Sequence, residues 1–256
     1  DFWFEGKYIW YSSYRLTDYD LCKREIKSGT DAVRVSKNRV DALVFAGNFI
    51  YYVDNGVTAN RLRKVAKTSL DYDADSVQVG KDNLNWQSLA VVGNKIYYCT
   101  NPTVGYKKFC YIDANAGEKI AGTAIKEGET FTYFDGKFYV YNQREKKVYV
   151  YNASSGNIKD VQTGVTIVDI INDGKNIYYA NVASGAEGLY KLAVADNKVT
   201  KVQAGAVNGL GYTSKGIAFI DVQITYVSEM PLAGGVTGKG YLYLYDGNKV
   251  TVLNKR

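Results

Sequence analysis

The chain has 256 residues, 14% of them aromatic, with 24 Tyr, 25 Gly and only 2 Pro. Its net charge of +6 comes from basic residues scattered along the sequence. We therefore expect no nucleic-acid partner, because such binding needs basic residues gathered on one face. Histidine is absent, so the sequence excludes an imidazole general base, a His-ligated zinc ion and a Ser-His triad.

A short pattern recurs about every 40 residues, in which a turn, usually with Gly, precedes a β-prone run that starts at an anchor residue. The anchors are Ile9, Ile50, Ile96, Tyr139, Ile177 and Ile217. Each repeat divides into four runs of ordinary strand length, separated by turns rich in Gly, Asn and Asp, which tolerate a positive φ. Such a period in a β-rich chain is typical of a propeller with one four-stranded blade per repeat.

We therefore predict an all-β fold, a six-bladed β-propeller with four antiparallel strands per blade, as a single domain over residues 1–256. The predicted blades cover roughly residues 1-39, 40-83, 84-128, 129-164, 165-205 and 206-256. The blades are in phase, so no blade should combine strands from the two ends of the chain.

Pairs of aromatic residues follow the anchor in four repeats. These pairs are Trp10 and Tyr11, Tyr51 and Tyr52, Tyr97 and Tyr98, and Tyr178 and Tyr179. Large aromatic side chains on a doubly covered strand favour burial between neighbouring sheets. We predict that they pack the blades against one another rather than bind a ligand.

Two connections between second and third strands are predicted to be long loops, at Ser12 to Asp20 and at Val222 to Lys239. They carry Tyr14, Arg15 and Tyr226, which we predict as ligand-binding candidates. The loops belong to the first and sixth blades, which are neighbours in a closed ring, so they would share one binding surface. The alternative is ordinary variation in loop length.

Trp86 precedes the third predicted inner strand, and Tyr106 lies nearby in the same repeat. A Trp at the entry of an inner strand could stack on a sugar ring or anchor a peptide, since interface hot spots are rich in Trp. The alternative is a Trp that packs under a loop.

The sequence Ile-Tyr-Tyr-Val-Asp at residues 50–54, followed by Arg-Leu-Arg-Lys at residues 61–64, resembles the YWTD repeat of low-density-lipoprotein-receptor-type propellers. It is more similar still to bacterial surface propellers that carry Ile-Tyr-Tyr in place of Tyr-Trp. The resemblance covers nearly the whole chain. It implies six blades, an extracellular or cell-surface location in bacteria, and non-catalytic recognition of a protein, peptide or glycan by a monomer.

The aspartate of that repeat, four residues after the anchor, is only partly kept. The position holds Asp54 and Asp221 in two repeats, and Ser13, Thr100, Gln143 and Asn181 in the others. We expect the hydrogen bonds by which this aspartate links blades in the family to be only partly reproduced here.

An alternative function is that of a calcium-dependent hydrolase or lyase, because some six-bladed propellers are calcium-dependent lactonases. The metal ligands would be Asp41, Glu129, Asp169 and Asn208, which occur at similar points before their anchors. Carboxylate and amide oxygens suit calcium. A sialidase-type box, a Gly-rich phosphate loop and metal-spaced cysteines are all absent, and the recognition function needs no cofactor.

Cysteine spacing leaves two interpretations open. Cys99 and Cys110 flank one predicted hairpin and could form a disulfide, or they and Cys22 could be reduced, largely buried thiols. No run in the sequence is long and apolar enough to span a membrane.

Overall fold

The computed structural model describes the residues at 2–15, 18–27, 29–55, 60–79, 83–102, 105, 107–114, 120–213, 215–226 and 236–253. In these residues the chain forms β-strands and a single helical turn, α1 (Tyr72–Asp75). It divides into two compact units, Asp1–Thr130 and Phe131–Arg256. None of the described helices is long and apolar enough to cross a bilayer.

The first unit holds sheets 1 to 3, each built from four consecutive antiparallel strands. Sheet 1 comprises β1 (Phe2–Glu5), β2 (Tyr8–Arg15), β3 (Asp18–Glu25) and β4 (Val33–Ser36). Sheet 2 comprises β5 (Arg39–Ala46), β6 (Phe49–Asn55), β7 (Asn60–Ala66) and β8 (Val77–Gln78). Sheet 3 comprises β9 (Leu84–Val92), β10 (Lys95–Thr100), β11 (Lys108–Asp113) and β12 (Ile120–Lys126).

The second unit holds sheets 4 to 6, and the first strand of sheet 4 begins just before the unit boundary. Sheet 4 comprises β13 (Gly128–Phe134), β14 (Lys137–Asn142), β15 (Lys147–Asn152) and β16 (Ile158–Thr163). Sheet 5 comprises β17 (Ile167–Asn172), β18 (Asn176–Asn181), β19 (Gly188–Ala193) and β20 (Val199–Ala204). Sheet 6 comprises β21 (Val207–Thr213), β22 (Gly216–Tyr226), β23 (Val236–Tyr245) and β24 (Val250–Val252).

Strand order confirms the prediction of four antiparallel strands per repeat. In the described residues, each sheet takes its strands from one continuous stretch of chain, so none joins the two chain ends. Tight turns explain this local order. Gly174, for example, has a φ of 81° in the turn between β17 and β18, a conformation that glycine adopts without steric cost.

The second strands of sheets 3, 4 and 5 share one burial pattern, in which a partly exposed residue is followed by five buried ones. This common pattern corrects the fourth anchor, because Phe138 rather than Tyr139 takes the position of Ile177. The polar residue that ends β14 is therefore Asn142, not Gln143. The sequence misled here because Tyr139, like the Ile anchors, heads a short β-prone run.

Two of the four aromatic pairs pack between sheets of the same unit, as predicted. Tyr51 joins the hydrophobic cluster shared with sheet 3, whereas Tyr52 joins the cluster shared with sheet 1. Tyr178 and Tyr179 divide in the same way between sheets 6 and 4. Alternate residues of a strand point to opposite faces, so one aromatic pair fills two interfaces.

Two connections predicted as long loops are strand in their described residues. β2 continues to Arg15 and β3 begins at Asp18, so the predicted loop at Ser12 to Asp20 is a hairpin that is paired throughout its described residues. The predicted insertion at Val222 to Lys239 likewise pairs Val222 with Gly240 and Tyr226 with Val236. Its β-branched residues favour strand, a signal that the loop interpretation underweighted.

The cysteines form no disulfide. Cys110 lies across from Tyr98, whereas Cys99 lies across from Phe109. Cross-strand partners share a face and successive residues alternate faces, so the thiols of Cys99 and Cys110 point to opposite sides of sheet 3. Burial raises the pKa of the Cys99 thiol well above its usual value, which keeps it protonated at neutral pH.

Candidate functional site

The ligand-binding candidates from the sequence lie at separate points of the fold. Tyr14 and Arg15 end β2 in the first unit, and Tyr226 ends β22 in the second. Trp86 lies within β9 rather than before it, in a stretch where the register with β10 shifts. Tyr106, and the side chains of the other four, lie outside the described residues. Their roles in binding stay predictions.

Two of the four predicted metal ligands, Asp41 and Asn208, have side chains outside the described residues. Glu129 forms an ion pair with Lys107, with 2.5 Å between Oε1 and Nζ. Asp169 and Glu129 belong to different units. Among the described residues, no three Cys, Asp or Glu side chains lie close enough together to hold a metal ion.

Asp169 links two sheets of the second unit. Its Oδ2 accepts a hydrogen bond of 2.8 Å from the backbone N–H of Leu210 in β21, and its Oδ1 accepts one of 2.8 Å from the N–H of Ile170. Burial raises the pKa of the carboxyl group, and these two N–H groups offset part of that rise. Both carboxylate oxygens of Asp169 thus already accept hydrogen bonds from the backbone.

A concave site that the sequence did not reveal lies in the second unit, and we call it the Tyr212 cleft. It measures about 290 Å³ and is open to solvent. Its walls come from the β17–β18 turn, the β21–β22 turn and the β23–β24 turn. Its lining includes Asp173, Lys175, Tyr178, Tyr212, Lys215 and Tyr245.

Asp173 organises one wall of the cleft. Its Oδ1 accepts from the backbone N–H groups of Lys175 (2.8 Å) and Asn176 (2.7 Å), and its Oδ2 accepts from the Tyr178 hydroxyl (2.9 Å) and the Asn176 amide (3.2 Å). Burial acts to raise the pKa of Asp173, but these hydrogen bonds outweigh it and leave the pKa below its usual value. The group is therefore an ionised carboxylate that is held by its own hairpin.

Two tyrosines stand edge to face behind that wall. The rings of Tyr178 and Tyr245 lie 6.1 Å apart at 62°, a favourable aromatic arrangement. Burial first, and then the hydrogen bond to Asp173, raise the pKa of Tyr178. The Tyr245 hydroxyl donates to the carbonyl of Gly247 (2.7 Å). These two rings are thus fixed, whereas Tyr212 is 60% exposed and offers its ring to solvent.

The other walls are turns that close on themselves. The Thr213 hydroxyl donates to the carbonyl of Gly216 (3.0 Å) and accepts from the backbone N–H of Lys215 (3.1 Å). Asp246 accepts from the N–H groups of Asn248 and Lys249, both at 2.9 Å, and these bonds lower its pKa. The Thr213 hydroxyl and the Asp246 carboxylate are therefore hydrogen-bonded within their own turns.

Lys175 and Lys215 are exposed and have no carboxylate within 4.0 Å among the residues that the structure describes. Some lysines elsewhere are paired: Lys7 pairs with Glu25 at 3.0 Å and Lys147 with Asp160 at 3.2 Å. The cleft therefore presents two ammonium groups beside an exposed tyrosine ring.

A smaller concavity of about 150 Å³ lies in the first unit, between β4 and α1, and we call it the Asp73 cleft. Its carboxylates are hydrogen-bonded within the fold. Asp73 accepts from the Ser36 hydroxyl (2.6 Å) and from the backbone N–H of Lys37 (2.8 Å), and Arg34 lies 3.6 Å from Asp20.

Comparisons with known proteins identify the type of fold. No protein-family model matches the sequence, and no curated protein does. Among solved structures, the β-propeller domain of the Trilobed protease from Pyrococcus furiosus is similar over 100% of this chain and 84% of that one, with 11% identity and a TM-score of 0.64. This chain has the fold of a β-propeller.

Two further structures are similar propellers. TolB from Acinetobacter baumannii matches over 94% of this chain, with 13% identity and a TM-score of 0.59, and this chain spans 62% of that one. A chain of a nidogen–laminin complex matches over 76% of this chain and 74% of its own length, with 10% identity and a TM-score of 0.52. Identities this low establish the fold alone.

Within the propeller sheets 5 and 6, the Tyr212 cleft lies at the end opposite the β22–β23 hairpin, because turns of an antiparallel sheet alternate between its two ends. Sequence reasoning favoured the hairpin end, where the predicted loops were longest. The available signal was lysine in the first turn of two successive repeats, at Lys175 and Lys215, with Tyr212 just before the second turn. Chemically, the cleft is suited to binding through charge and an aromatic ring.

Proposed function

We propose that this protein is a non-catalytic recognition module, a six-bladed propeller of the YWTD-like type that belongs to a secreted or cell-surface bacterial protein. Its ligand is a segment of a partner protein. The observation that carries the proposal is the Tyr212 cleft, where an exposed ring and two lysines without described ion-pair partners surround an open concavity. Interfaces are enriched in tyrosine, and a cleft of this size accepts a few side chains.

Two lines of support come from outside the cleft. The repeat at residues 50–54 resembles that of extracellular recognition propellers. A similar propeller occurs in a nidogen–laminin complex, in which one protein binds another. The lining itself supports binding over chemistry, because Asp173 and Asp246 are held by the N–H groups of their own turns.

Selection from a library of phage-displayed dodecapeptides tests the proposal. We expect enriched peptides whose affinity falls about tenfold when Tyr212→Ala removes the exposed ring, since truncation of a central aromatic contact commonly costs this much or more. Ile158→Ala is the matched control, because Ile158 is also exposed, lies in the same unit and is not part of the cleft. Melting temperatures of both variants should equal that of the wild type.

A glycan array run in parallel separates the two ligand classes. Peptide enrichment with loss on Tyr212→Ala supports the proposal. No enrichment, affinity that is indifferent to Tyr212→Ala, or binding to glycans alone would contradict it.

A further inference from the structure

The Tyr212 cleft combines two ammonium groups that have no carboxylate partner among the described residues with two carboxylates whose oxygen atoms are hydrogen-bonded by their own turns. Lys175 and Lys215 project from two different sheets, sheet 5 and sheet 6, into the same concavity. Each ammonium group carries three N–H donors and no acceptor, so it can bind an anion strongly.

The two aspartates of the cleft are ionised, but their oxygen atoms are already hydrogen-bonded, whereas the two ammonium groups have no described ion-pair partner. Asp173 accepts four hydrogen bonds from its own hairpin, and Asp246 accepts two from the turn between β23 and β24. A cation entering the cleft would compete with those donors for oxygen atoms that are already hydrogen-bonded. An anion meets ammonium groups that have no carboxylate partner among the described residues.

On the basis of the proposed function, we infer that the Tyr212 cleft selects an acidic segment of the partner protein, with its carboxylates at Lys175 and Lys215 and an adjacent side chain against Tyr212. An extended polypeptide places alternate side chains about 7 Å apart on one face, so a single segment supplies both the charges and the ring contact. A net charge of +6 on the whole chain favours encounter with acidic partners.

A glycan fits the same cleft less well. Sugar binding by stacking needs open aromatic faces, and of the three lining tyrosines only Tyr212 is largely exposed. Tyr178 and Tyr245 pack edge to face against each other. The polypeptide is therefore the ligand class that uses most of the groups present.

Fluorescence anisotropy with labelled hexaglutamate tests the inference at low ionic strength, with hexaglutamine and unlabelled trigalacturonate as competitors. We expect saturable binding of hexaglutamate, weakened about fivefold or more in the double variant Lys175→Gln/Lys215→Gln, because each partly exposed charge pair contributes a modest factor. Added salt should lower the affinity for hexaglutamate by a larger factor in the wild type than in the double variant.

Lys198→Gln is the matched control. Lys198 is an exposed lysine in the β19–β20 turn of the same unit and does not line the cleft. We expect its affinity for hexaglutamate to stay within about twofold of the wild type, as for a distant surface charge. The inference would be overturned if Lys198→Gln weakened hexaglutamate binding as much as the double variant does. It would also be overturned if the double variant left the affinity unchanged, or if hexaglutamate showed no saturable binding.

The two competitors and the peptide library complete the test. Displacement by trigalacturonate at lower concentration than by hexaglutamate would overturn the choice of a polypeptide ligand. Selected dodecapeptides that need Tyr212 but carry no Asp or Glu would overturn the acidic preference while leaving the proposed function intact. Failure of the two proposals is thus distinguishable.

Discussion

The Asp73 cleft and the Tyr212 cleft are both lined by turn residues and charged side chains, yet they use those groups differently. In the Asp73 cleft, the carboxylate accepts from Ser36 and Lys37 and so joins α1 to β4. In the Tyr212 cleft, Asp173, Thr213 and Asp246 are hydrogen-bonded within their own turns, whereas Lys175 and Lys215 are exposed. Polar groups that are hydrogen-bonded within the fold stabilise it, whereas polar groups without a described partner are available to a ligand.

The largest expected effect comes from a residue that shapes the Tyr212 cleft through its backbone. A Cβ on Gly216 would lie 2.0 Å from the carbonyl oxygen of Tyr245. We expect Gly216→Ala to lower the free energy of unfolding by about 3 kcal/mol, the upper end for overpacking, as measured by urea denaturation. Gly247→Ala is the control, because it has a positive φ but no atom within 4 Å of its Cβ. It should cost about 1 kcal/mol; equal losses would show that contact with Tyr245 is not the cause.

A smaller loss should follow in the Asp73 cleft. Asp73→Ala leaves the Ser36 hydroxyl and the Lys37 N–H without their acceptor, so we expect the free energy of unfolding to fall by about 2 kcal/mol. The control is Asp31→Ala, an exposed carboxylate elsewhere in the first unit, which should change stability by less than about 0.5 kcal/mol. A loss below that threshold for Asp73→Ala would contradict the assignment of this carboxylate to the fold.

Two carboxylates of sheet 5 should respond to pH in opposite directions. Burial raises the pKa of Asp169 in the folded state, so its contribution to stability falls as pH rises from its unfolded pKa of about 3.9 through the folded value. Hydrogen bonds lower the pKa of Asp173, so its contribution is present above the unfolded pKa and is lost as pH falls through the folded value.

Urea unfolding at about pH 3.5 and about pH 7 checks this contrast. Relative to the wild type, Asp169→Asn should gain stability between the lower and the higher pH, whereas Asp173→Asn should lose it. The same direction in both variants would contradict the described hydrogen bonding of one of them.

The smallest expected effect on stability belongs to the cleft lysines. Lys175→Gln and Lys215→Gln, singly or together, should change the free energy of unfolding by less than about 0.5 kcal/mol, because neither makes a described ion pair. If either single variant lowers the free energy of unfolding by more than about 1 kcal/mol, that lysine contributes to the stability of the fold, which would contradict this prediction.

Much of the fold followed from the sequence because it depends on a repeated requirement. The second strand of sheet 2 and that of sheet 5 each pack against a neighbouring sheet on both faces, so the pairs Tyr51–Tyr52 and Tyr178–Tyr179 recur and are visible as a period. The four-strand pattern is predictable for the same reason. The predicted fourth anchor, Tyr139, lies one residue beyond the correct position at Phe138, because both residues are aromatic and favour strand.

The candidate site could not be predicted in the same way, because it depends on which polar groups remain unsatisfied. Asp169 is a predicted metal ligand, and the sequence gives no sign of the hydrogen bonds that it accepts from Leu210 and Ile170. Lys175 looked like one turn residue among many, and only the distances to surrounding carboxylates set it apart from Lys7. The pairing of β22 with β23 was harder to predict, because the β-branched residues of this segment favour strand but do not identify the partner strand.

Hydrogen–deuterium exchange with the tightest-binding selected peptide tests most directly the claim that recognition occurs at the Tyr212 cleft. We expect bound peptide to slow exchange in residues 173–178, 212–217 and 245–249, and to leave residues 12–20 and 222–239 unchanged. Slowed exchange confined to those two hairpins would contradict the account and would favour the surface that carries Tyr14, Arg15 and Tyr226.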